Sequence, residues 1–172
     1  MSAPVLHVLA GPNGSGKTAF AEEVLQPVTH LPFVNADHIA AQLWPGREVE
    51  QAHAAAEAAA VAREQALERG ESFIAETVFS HPSKVALVER AAALGYLVEL
   101  HVMLVPEELA VARVAYRRLW ALVAQAIQVA QRARVYDNSR AGAFAPVAHY
   151  ELGQVIGKAL WPAWTPPELT AW

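Results

Sequence analysis

The sequence predicts a three-layer α/β fold, in which helices cover both faces of a central parallel sheet of about five strands. Three observations lead to this prediction. Short apolar runs alternate with longer segments of helical periodicity along most of the chain. A glycine-rich segment, residues 11–16, follows the first apolar run and precedes a helical segment. Polar residues follow several later apolar runs, at the edge where the ends of parallel strands meet.

Taken in chain order, the apolar runs give the strands and the segments between them give the helices. The predicted strands are residues 5–10, 33–35, 72–75, 96–105 and 134–136. The predicted helices are residues 16–25, which stop before Pro27, then residues 48–69, residues 82–94 and a segment that begins at Pro106. Gly70 is expected to follow the end of the alanine-rich helix, because glycine favours that position. Residues 147–156 are expected to add a last strand, and residues 161–167 to cross the core.

Composition and charge narrow the class of protein. With 172 residues, of which 54% are apolar and 17% charged, the chain is expected to form a single domain over residues 1–172. The formal charge of −4 argues against broad contact with nucleic acid, which favours basic surfaces. The chain has no cysteine, no signal-peptide pattern and no apolar run of ~18 residues. We therefore expect a cytoplasmic protein that binds neither nucleic acid nor membrane.

Residues 11–18 match a phosphate-binding loop, or P-loop. Their sequence is Gly11-Pro12-Asn13-Gly14-Ser15-Gly16-Lys17-Thr18, with an apolar strand before it and a helix after it. In such a loop, backbone N–H groups surround a nucleotide phosphate, and the start of the helix adds further donors. Lys17 is expected to bind the β- and γ-phosphates, and the Thr18 hydroxyl to bind Mg²⁺. The sequence therefore predicts a site for ATP or GTP with Mg²⁺.

Further polar residues follow the second, third and fifth predicted strands. Asp37 is a candidate general base, because a carboxylate near the γ-phosphate accepts the proton of an attacking hydroxyl. Its alternatives are a water-mediated contact to Mg²⁺ and an N-cap of the helix that starts at His38. Glu76 and Thr77 are candidate substrate contacts, with pairing to an arginine at the rim as the alternative for Glu76. Asn138 is a candidate contact to the purine base, with closure of a turn as its alternative.

Three arginines, Arg113, Arg117 and Arg118, lie in the segment after the fourth strand. A guanidinium stabilises the charge that spreads over a phosphoryl group during transfer. Arg113 and Arg117 are four residues apart and would share one face of a helix. At least one arginine is therefore expected to enter the site, and a solvent-exposed helix face is the alternative for each of them.

The histidines do not indicate a metal site. None of the seven shows metal-ligand spacing along the sequence. His7 and His101 fall inside predicted strands, so we expect them to be residues of the core or of a sheet face.

Four segments together resemble the zeta toxin family of P-loop kinases, and specifically its short bacterial members. They are VLAGPNGSGKT (residues 8–18), FVNADHIA (33–40), AET (75–77) and VYDNS (135–139), so the resemblance covers about the first 140 residues. It implies the kinase-type strand order 2-3-1-4-5. It also implies phosphorylation of a hydroxyl of UDP-N-acetylglucosamine, with an antitoxin protein as a frequent partner. The small-molecule acceptor would then be this nucleotide-sugar or a related metabolite.

The resemblance assigns roles to individual residues by position. Lys17 and Thr18 would hold the triphosphate and Mg²⁺, as the P-loop alone already predicts. Asp37 would be the general base, and Arg113 would contact phosphate at the edge of a lid. The Glu76-Thr77 pair would contact the acceptor.

The chain departs from this family where the lid is expected. Family members carry a lid after the helix that contains Arg113, whereas Tyr116 is here followed directly by Arg117 and Arg118. Either the protein has lost the lid, or the sequence omits a mobile lid loop. In the second case, the ordered segments on either side of the loop appear directly joined. We expect the second, because lid loops belong to the mobile parts of enzymes. Read as one piece, residues 106–132 would form a single long helix.

The sequence leaves three functions open. The leading one is a small-molecule kinase that uses the P-loop and Asp37. The second is a nucleotide-binding module with slow hydrolysis that acts through a protein partner, and loss of the lid would favour it. The third is a nucleic-acid end kinase, against which the acidic charge and the absence of a basic stripe count.

Overall fold

Seven strands and six α-helices make up most of residues 3–109 and 116–170, which are the residues that the computed structural model describes. We number both kinds of element in chain order. The strands are β1 (Val5–Ala10), β2 (Phe33–Val34), β3 (Phe73–Thr77), β4 (Leu97–Leu104), β5 (Arg132–Asp137), β6 (Ala145–Glu151) and β7 (Gln154–Val155). The helices are α1 (Lys17–Phe20), α2 (Gln26–Thr29), α3 (Ala36–Leu43), α4 (Ala52–Arg69), α5 (Ser83–Ala93) and α6 (Tyr116–Val129). A π-helical segment, Ala21–Leu25, joins α1 to α2.

The strands form one sheet in the order β2-β3-β1-β4-β5-β6-β7. The first five strands pair in parallel, which confirms the order implied by the family resemblance. The strands β6 and β7 then extend the sheet in antiparallel fashion. At the carboxyl edge, Ala10 of β1 pairs with Thr77 of β3. The segments that follow β1 and β3 therefore begin side by side.

Helices lie on both faces of the sheet, so the three-layer α/β fold is confirmed. On one face, α4, α5 and α6 contribute Leu67, Val88 and Trp120 to the larger core. On the other face, Phe20 and Leu25 of the first helical segment form a smaller core with apolar residues of β1, β3 and β4. None of the described helices is long and apolar enough to cross a lipid bilayer.

The chain after β5 differs from the single last strand expected over residues 147–156. It forms a hairpin, in which Leu152 and Gly153 make the turn between β6 and β7 with φ values of 48° and 77°. This left-handed backbone interrupts the strand, and glycine adopts it without steric penalty. The expectation that residues 161–167 cross the core is confirmed, because Trp161 and Trp164 pack against the larger core.

Two helical segments depart most from those expected from the sequence. The first helical segment continues past Pro27 to Thr29. The π-helical segment offsets the hydrogen-bond ladder, so that Pro27 falls in the first turn of α2, where proline is tolerated.

The segment after Pro106 is not one helix. A 3₁₀ turn covers Glu107–Leu109, and α6 ends at Val129, before β5 begins. Arg113 lies in residues 110–115, outside the described residues.

The start of α6 lies where the family resemblance leads us to expect a lid. Tyr116, Arg117 and Arg118 are consecutive residues of its first turn. The Tyr116 hydroxyl donates a hydrogen bond to the carbonyl oxygen of Val105 at 2.8 Å, and its ring packs edge to face on Trp120. These contacts fix the first turn as part of a continuous helix. The helix therefore runs through Tyr116, Arg117 and Arg118 without a break. A mobile loop omitted from the sequence at this point stays a prediction.

Candidate active site

A cleft of about 500 Å³ opens at the carboxyl edge of the parallel strands. The P-loop after β1, the start of α3 and the end of β3 form its walls. Its lining residues are Asn13, Gly14, Gly16, Lys17, Thr18, Ala19, Asn35, Ala36, Asp37, Glu76, Thr77 and Val78. Three segments that the sequence singles out separately, around Lys17, Asp37 and Glu76, thus meet in one cleft.

At two glycines of the P-loop, a side chain would clash with the surrounding structure. Gly11 has a φ of 154°, and a Cβ there would lie 2.7 Å from the carbonyl oxygen of Met103 on β4. Gly16 has a φ of 85°, and a Cβ there would collide with the side-chain amide of Asn138. The Ser15 N–H donates to the carbonyl oxygen of Pro12 at 3.2 Å and closes the curve of the loop. A backbone curved in this way directs N–H groups toward an anion.

Lys17 is the only cationic residue that lines the cleft in the described part of the chain. It is 3% exposed. Its ammonium donates to the carbonyl oxygen of Pro12 at 2.9 Å and lies 3.6 Å from Glu76 Oε1. Burial lowers the pKa of Lys17 below its ordinary value, while the negative charges of Glu76 and Asp37 oppose this shift. The site therefore holds its cation next to the Glu76 carboxylate, with the charge of Asp37 farther away, in a partly desolvated cleft where electrostatic interactions are strong.

Glu76 connects the P-loop to the neighbouring strands. Its Oε2 accepts hydrogen bonds from the Thr18 hydroxyl at 2.8 Å and from Asn35 Nδ2 at 2.7 Å. Together with Lys17, these contacts account for both oxygens of the carboxylate. The sequence left open whether Glu76 pairs with an arginine at the rim. Among the residues that the structure describes, its ion-pair partner is Lys17.

Asp37 lies at the mouth of the cleft with its carboxylate exposed. It is not the N-cap of α3, because Asn35 takes that position. Asn35 Oδ1 accepts hydrogen bonds from the backbone N–H groups of Asp37 at 2.7 Å and His38 at 3.1 Å. The capping alternative for Asp37 is therefore wrong, and its side chain remains available to a ligand. Thr77, which is 6% exposed, lines the inner wall of the same cleft.

Asn35 is a site residue that the sequence did not single out. It caps α3 with its side-chain oxygen and holds Glu76 with its side-chain nitrogen. An asparagine between a strand and a helix is a recognisable capping signal. The contact to Glu76 has no such signal, because the two residues lie 41 positions apart and meet only through the β2–β3 pairing.

Asn138 lies behind the P-loop and does not line the cleft. It is 6% exposed, and its Nδ2 donates to the carbonyl oxygen of Ser15 at 2.9 Å. The turn after β5 is closed instead by Asp137, whose Oδ1 accepts from the N–H of Ser139 at 2.8 Å. The structure therefore shows Asn138 as a support for the loop, and its contact to a purine base stays a prediction.

Replacing Asn138 with alanine should weaken ATP binding without removing it. The substitution deletes one buried hydrogen bond, worth about 1 kcal/mol, which corresponds to an affinity loss of about fivefold. Isothermal titration calorimetry with ATP and Mg²⁺ measures this change, and Ser139→Ala in the same turn is the matched control. An unchanged affinity in Asn138→Ala would contradict the supporting role.

Two of the three candidate arginines lie outside the cleft. Arg117 and Arg118 are exposed in the first turn of α6, and neither lines the cleft. Arg113 lies outside the described residues. The structure therefore brings together Lys17, Thr18 and the acidic residues of the site, but it does not bring Arg117 to them.

Comparison with known proteins agrees with the fold and with the loop. Residues 6–138 match the family model AAA_33, which is described as an AAA domain. No curated protein sequence matches the chain.

Solved structures share the fold at low sequence identity. A chain from the PezAT chromosomal toxin–antitoxin system of Streptococcus pneumoniae superposes with a TM-score of 0.61 at 12% identity, over 87% of this chain and 72% of that one. A chain from the complex of AvrRxo1-ORF1 and AvrRxo1-ORF2 with ATP superposes with a TM-score of 0.63 at 20% identity, over 89% of this chain. The present chain spans 60% of the length of that second neighbour. At such identities the likeness establishes the fold alone.

The match to the family model extends from β1 to the end of β5. It includes the P-loop, the cleft at the carboxyl edge and the supporting residue Asn138. The arrangement of parallel strands around the P-loop agrees with this match. The chain therefore belongs to the AAA domain family AAA_33.

Proposed function

We propose that the chain is a kinase that transfers the terminal phosphoryl group of ATP or GTP to a hydroxyl group of a small molecule. One observation carries this proposal. The Asp37 carboxylate lines the same cleft as Lys17 and makes no hydrogen bond or ion pair with the residues that the structure describes. Nucleotide binding alone needs no carboxylate at this place, whereas transfer to a hydroxyl needs a proton acceptor near the γ-phosphate.

The P-loop and Lys17 would bind the donor nucleotide. Backbone N–H groups of residues 13–17 would surround the β-phosphate, and the Lys17 ammonium would exchange the Pro12 carbonyl oxygen for phosphate oxygens. Because Lys17 is buried beside Glu76, water screens its charge less than that of an exposed lysine. The same partial burial makes the lysine a strong determinant of phosphate binding.

Thr18 and Glu76 fit a magnesium ion. Their side-chain oxygens lie 2.8 Å apart and face the cleft, and Mg²⁺ prefers such oxygen donors. Bound there, Mg²⁺ would neutralise charge on the phosphates. We therefore propose that Glu76 binds the metal ion and that Asp37 and Thr77 contact the acceptor.

Asp37 would act on the acceptor hydroxyl. The hydroxyl proton passes to the Asp37 carboxylate while the hydroxyl oxygen forms a bond to the γ-phosphorus. The bond between that phosphorus and the oxygen bridging to the β-phosphate breaks, and the nucleoside diphosphate leaves. Arg113 is the proposed cation for the charge on the transferred group, on the basis of the family resemblance.

The proposed acceptor and partner come from the family resemblance and from the structural neighbours. UDP-N-acetylglucosamine is the acceptor that the zeta toxin resemblance suggests, and related nucleotide-sugars have the same chemistry. One structural neighbour comes from a toxin–antitoxin system, and another was solved in a two-protein complex with ATP. We therefore infer ATP as the donor and an antitoxin-type protein as a partner.

An acceptor screen tests the proposal. ADP formation is measured with ATP, Mg²⁺ and one acceptor at a time, starting with UDP-N-acetylglucosamine and followed by other nucleotide-sugars, nucleosides and free sugars. A rate that rises with one acceptor and saturates supports the kinase. A constant low rate across the whole panel would contradict it.

Glu76→Gln should reduce the effect of Mg²⁺ on ATP binding. The substitution keeps the shape and one hydrogen-bond acceptor but removes the charge that attracts the metal. We expect the increase in ATP affinity on addition of Mg²⁺ to fall by about tenfold, which corresponds to about 1.4 kcal/mol. Calorimetric titrations with and without Mg²⁺ measure this ratio, with Glu71→Gln, an exposed carboxylate before β3, as the control. A ratio equal to that of the wild type would exclude Glu76 from the metal site.

A second function has a specific observation in its favour. No arginine among the described residues lines the cleft, and the helix that follows Tyr116 has no lid inserted into it. A P-loop module that binds a nucleotide, hydrolyses it slowly and acts through a protein partner needs neither an arginine in the cleft nor a lid. The acceptor screen separates the two functions, because only the kinase shows acceptor-dependent formation of ADP.

A further inference from the structure

A second group of chemically active side chains lies on the sheet face covered by α1, toward the amino ends of the strands. It consists of His7 on β1 with Glu99 and His101 on β4. His7 pairs with Glu99 in the strand register, and His101 follows Glu99 on the same face of β4. Neither histidine lines the cleft. We call this group the imidazole cluster.

The distances within the imidazole cluster suit a single metal ion. His7 Nδ1 lies 3.0 Å from His101 Nε2 and 4.0 Å from Glu99 Oε2. All three ligand atoms lie within 4.8 Å of one another. Two ligand atoms on one zinc ion lie at most about 4.2 Å apart, the sum of two bond lengths. A small movement of the partly exposed glutamate is therefore enough to bring three donors onto one ion.

The two imidazoles are suited to be ligands because they are held neutral. Burial lowers the pKa of His7 below its ordinary value, and burial lowers the pKa of His101 to about 3. A neutral imidazole offers a lone pair to a metal at neutral pH, which a protonated ring does not. His7 Nδ1 and His101 Nε2 share one hydrogen bond, with a single proton between them. These are the two nitrogens that would face a bound ion.

The surroundings hold the cluster in place. The ring of Phe20 lies 5.4 Å from the ring of His101, and the ring of Tyr136 lies 6.3 Å from it. Arg134 Nη1 donates to Glu99 Oε2 at 2.8 Å, and Arg132 Nη1 donates to Glu99 Oε1 at 3.2 Å. Such outer contacts orient a ligating carboxylate. The guanidinium charges also repel a dication, so they limit its affinity.

We propose that His7, Glu99 and His101 form a binding site for a divalent metal ion of the zinc type, separate from the magnesium-nucleotide site. Two imidazole nitrogens with one carboxylate oxygen are a donor set that suits Zn²⁺ and not Mg²⁺. The side chains of His7 and Glu99 are 10% and 12% exposed, so the ion has a path from solvent at that side. Bound there, it would join β1 to β4 across 94 positions of sequence and stabilise the folded state.

Zinc titration of the full chain without an affinity tag tests this site. Metal is removed with EDTA, and Zn²⁺ is then titrated in competition with a chromophoric chelator. We expect one bound equivalent and a rise in melting temperature with added Zn²⁺. His101→Phe, which keeps an aromatic ring between Phe20 and Tyr136, should weaken this binding by at least tenfold. His53→Gln is the control, because His53 is a histidine whose side chain is 89% exposed.

A second variant keeps the test decisive if His101→Phe is poorly folded. Glu99→Gln changes a partly exposed side chain and should weaken zinc binding severalfold while ATP binding stays at the wild-type level. Absence of a bound equivalent in the wild type would overturn the proposal. So would equal zinc affinity in the wild type and in both variants, or a loss of affinity in His53→Gln alone. None of these readouts depends on kinase activity, so the site and the proposed function fail separately.

Discussion

Lys17→Met is expected to abolish ATP binding at concentrations where the wild type is saturated. Lys17 is the only cation lining the described part of the cleft, and its loss leaves the carboxylates of Glu76 and Asp37 facing the triphosphate. Removing one partner of a desolvated charge pair costs about 3 kcal/mol or more, which corresponds to an affinity loss of roughly 150-fold. Methionine has a similar length and fills the buried volume of the lysine stem, so the fold should persist.

Calorimetric titration with ATP and Mg²⁺ measures this loss. Lys158→Met is the matched control, because it makes the same chemical change at an exposed lysine after β7. The melting temperature of both variants shows whether the fold is kept. An ATP affinity of Lys17→Met within a few-fold of the wild type would remove the basis for the phosphate site.

Asp37→Asn is expected to abolish phosphoryl transfer while ATP affinity stays within a few-fold of the wild type. The amide has nearly the same shape, and the backbone N–H of residue 37 keeps its hydrogen bond to Asn35. What is lost is the proton acceptor, and general-base catalysis contributes about 10²- to 10⁴-fold to a rate. The expected fall in acceptor-dependent turnover therefore lies in that range.

Turnover is followed as ADP formation at saturating ATP and acceptor. Glu23→Gln, which changes an exposed carboxylate of the π-helical segment, controls for the general loss of one negative charge. Turnover of Asp37→Asn at the wild-type rate would show that another group accepts the proton. A parallel fall in ATP affinity would instead assign Asp37 to donor binding.

Much of the fold was predictable because it follows local rules. The apolar runs around Leu6, Ile74 and Leu100 each form a buried strand, and the P-loop lies between a strand and a helix as its motif requires. The hairpin of β6 and β7 was missed, since a single run over residues 147–156 gives little sign of the turn at Leu152. The helix past Pro27 was missed because a π-helical segment has no sequence signal of comparable strength.

The residues that form the site could be predicted from the sequence, whereas the hydrogen bonds between them could not. Lys17 and Asp37 follow parallel strands and Glu76 lies near the end of one. Such strands end at one edge of the sheet, so the meeting of these residues in the cleft follows from topology. The bonds of Glu76 to Thr18 and Asn35 depend on distances that only the folded chain defines. The imidazole cluster could not be predicted for the same reason. Residue spacing along the sequence does not show that β1 and β4 become neighbours in the sheet.

The most direct test of the central claim is a ³¹P NMR experiment on the purified protein with ATP, Mg²⁺ and UDP-N-acetylglucosamine. The account predicts that the γ-phosphate signal of ATP disappears while a new phosphomonoester signal of equal intensity grows, and that Asp37→Asn produces neither change. Conversion of the γ-phosphate to inorganic phosphate alone, at the same rate with and without any acceptor of the panel, would contradict the account.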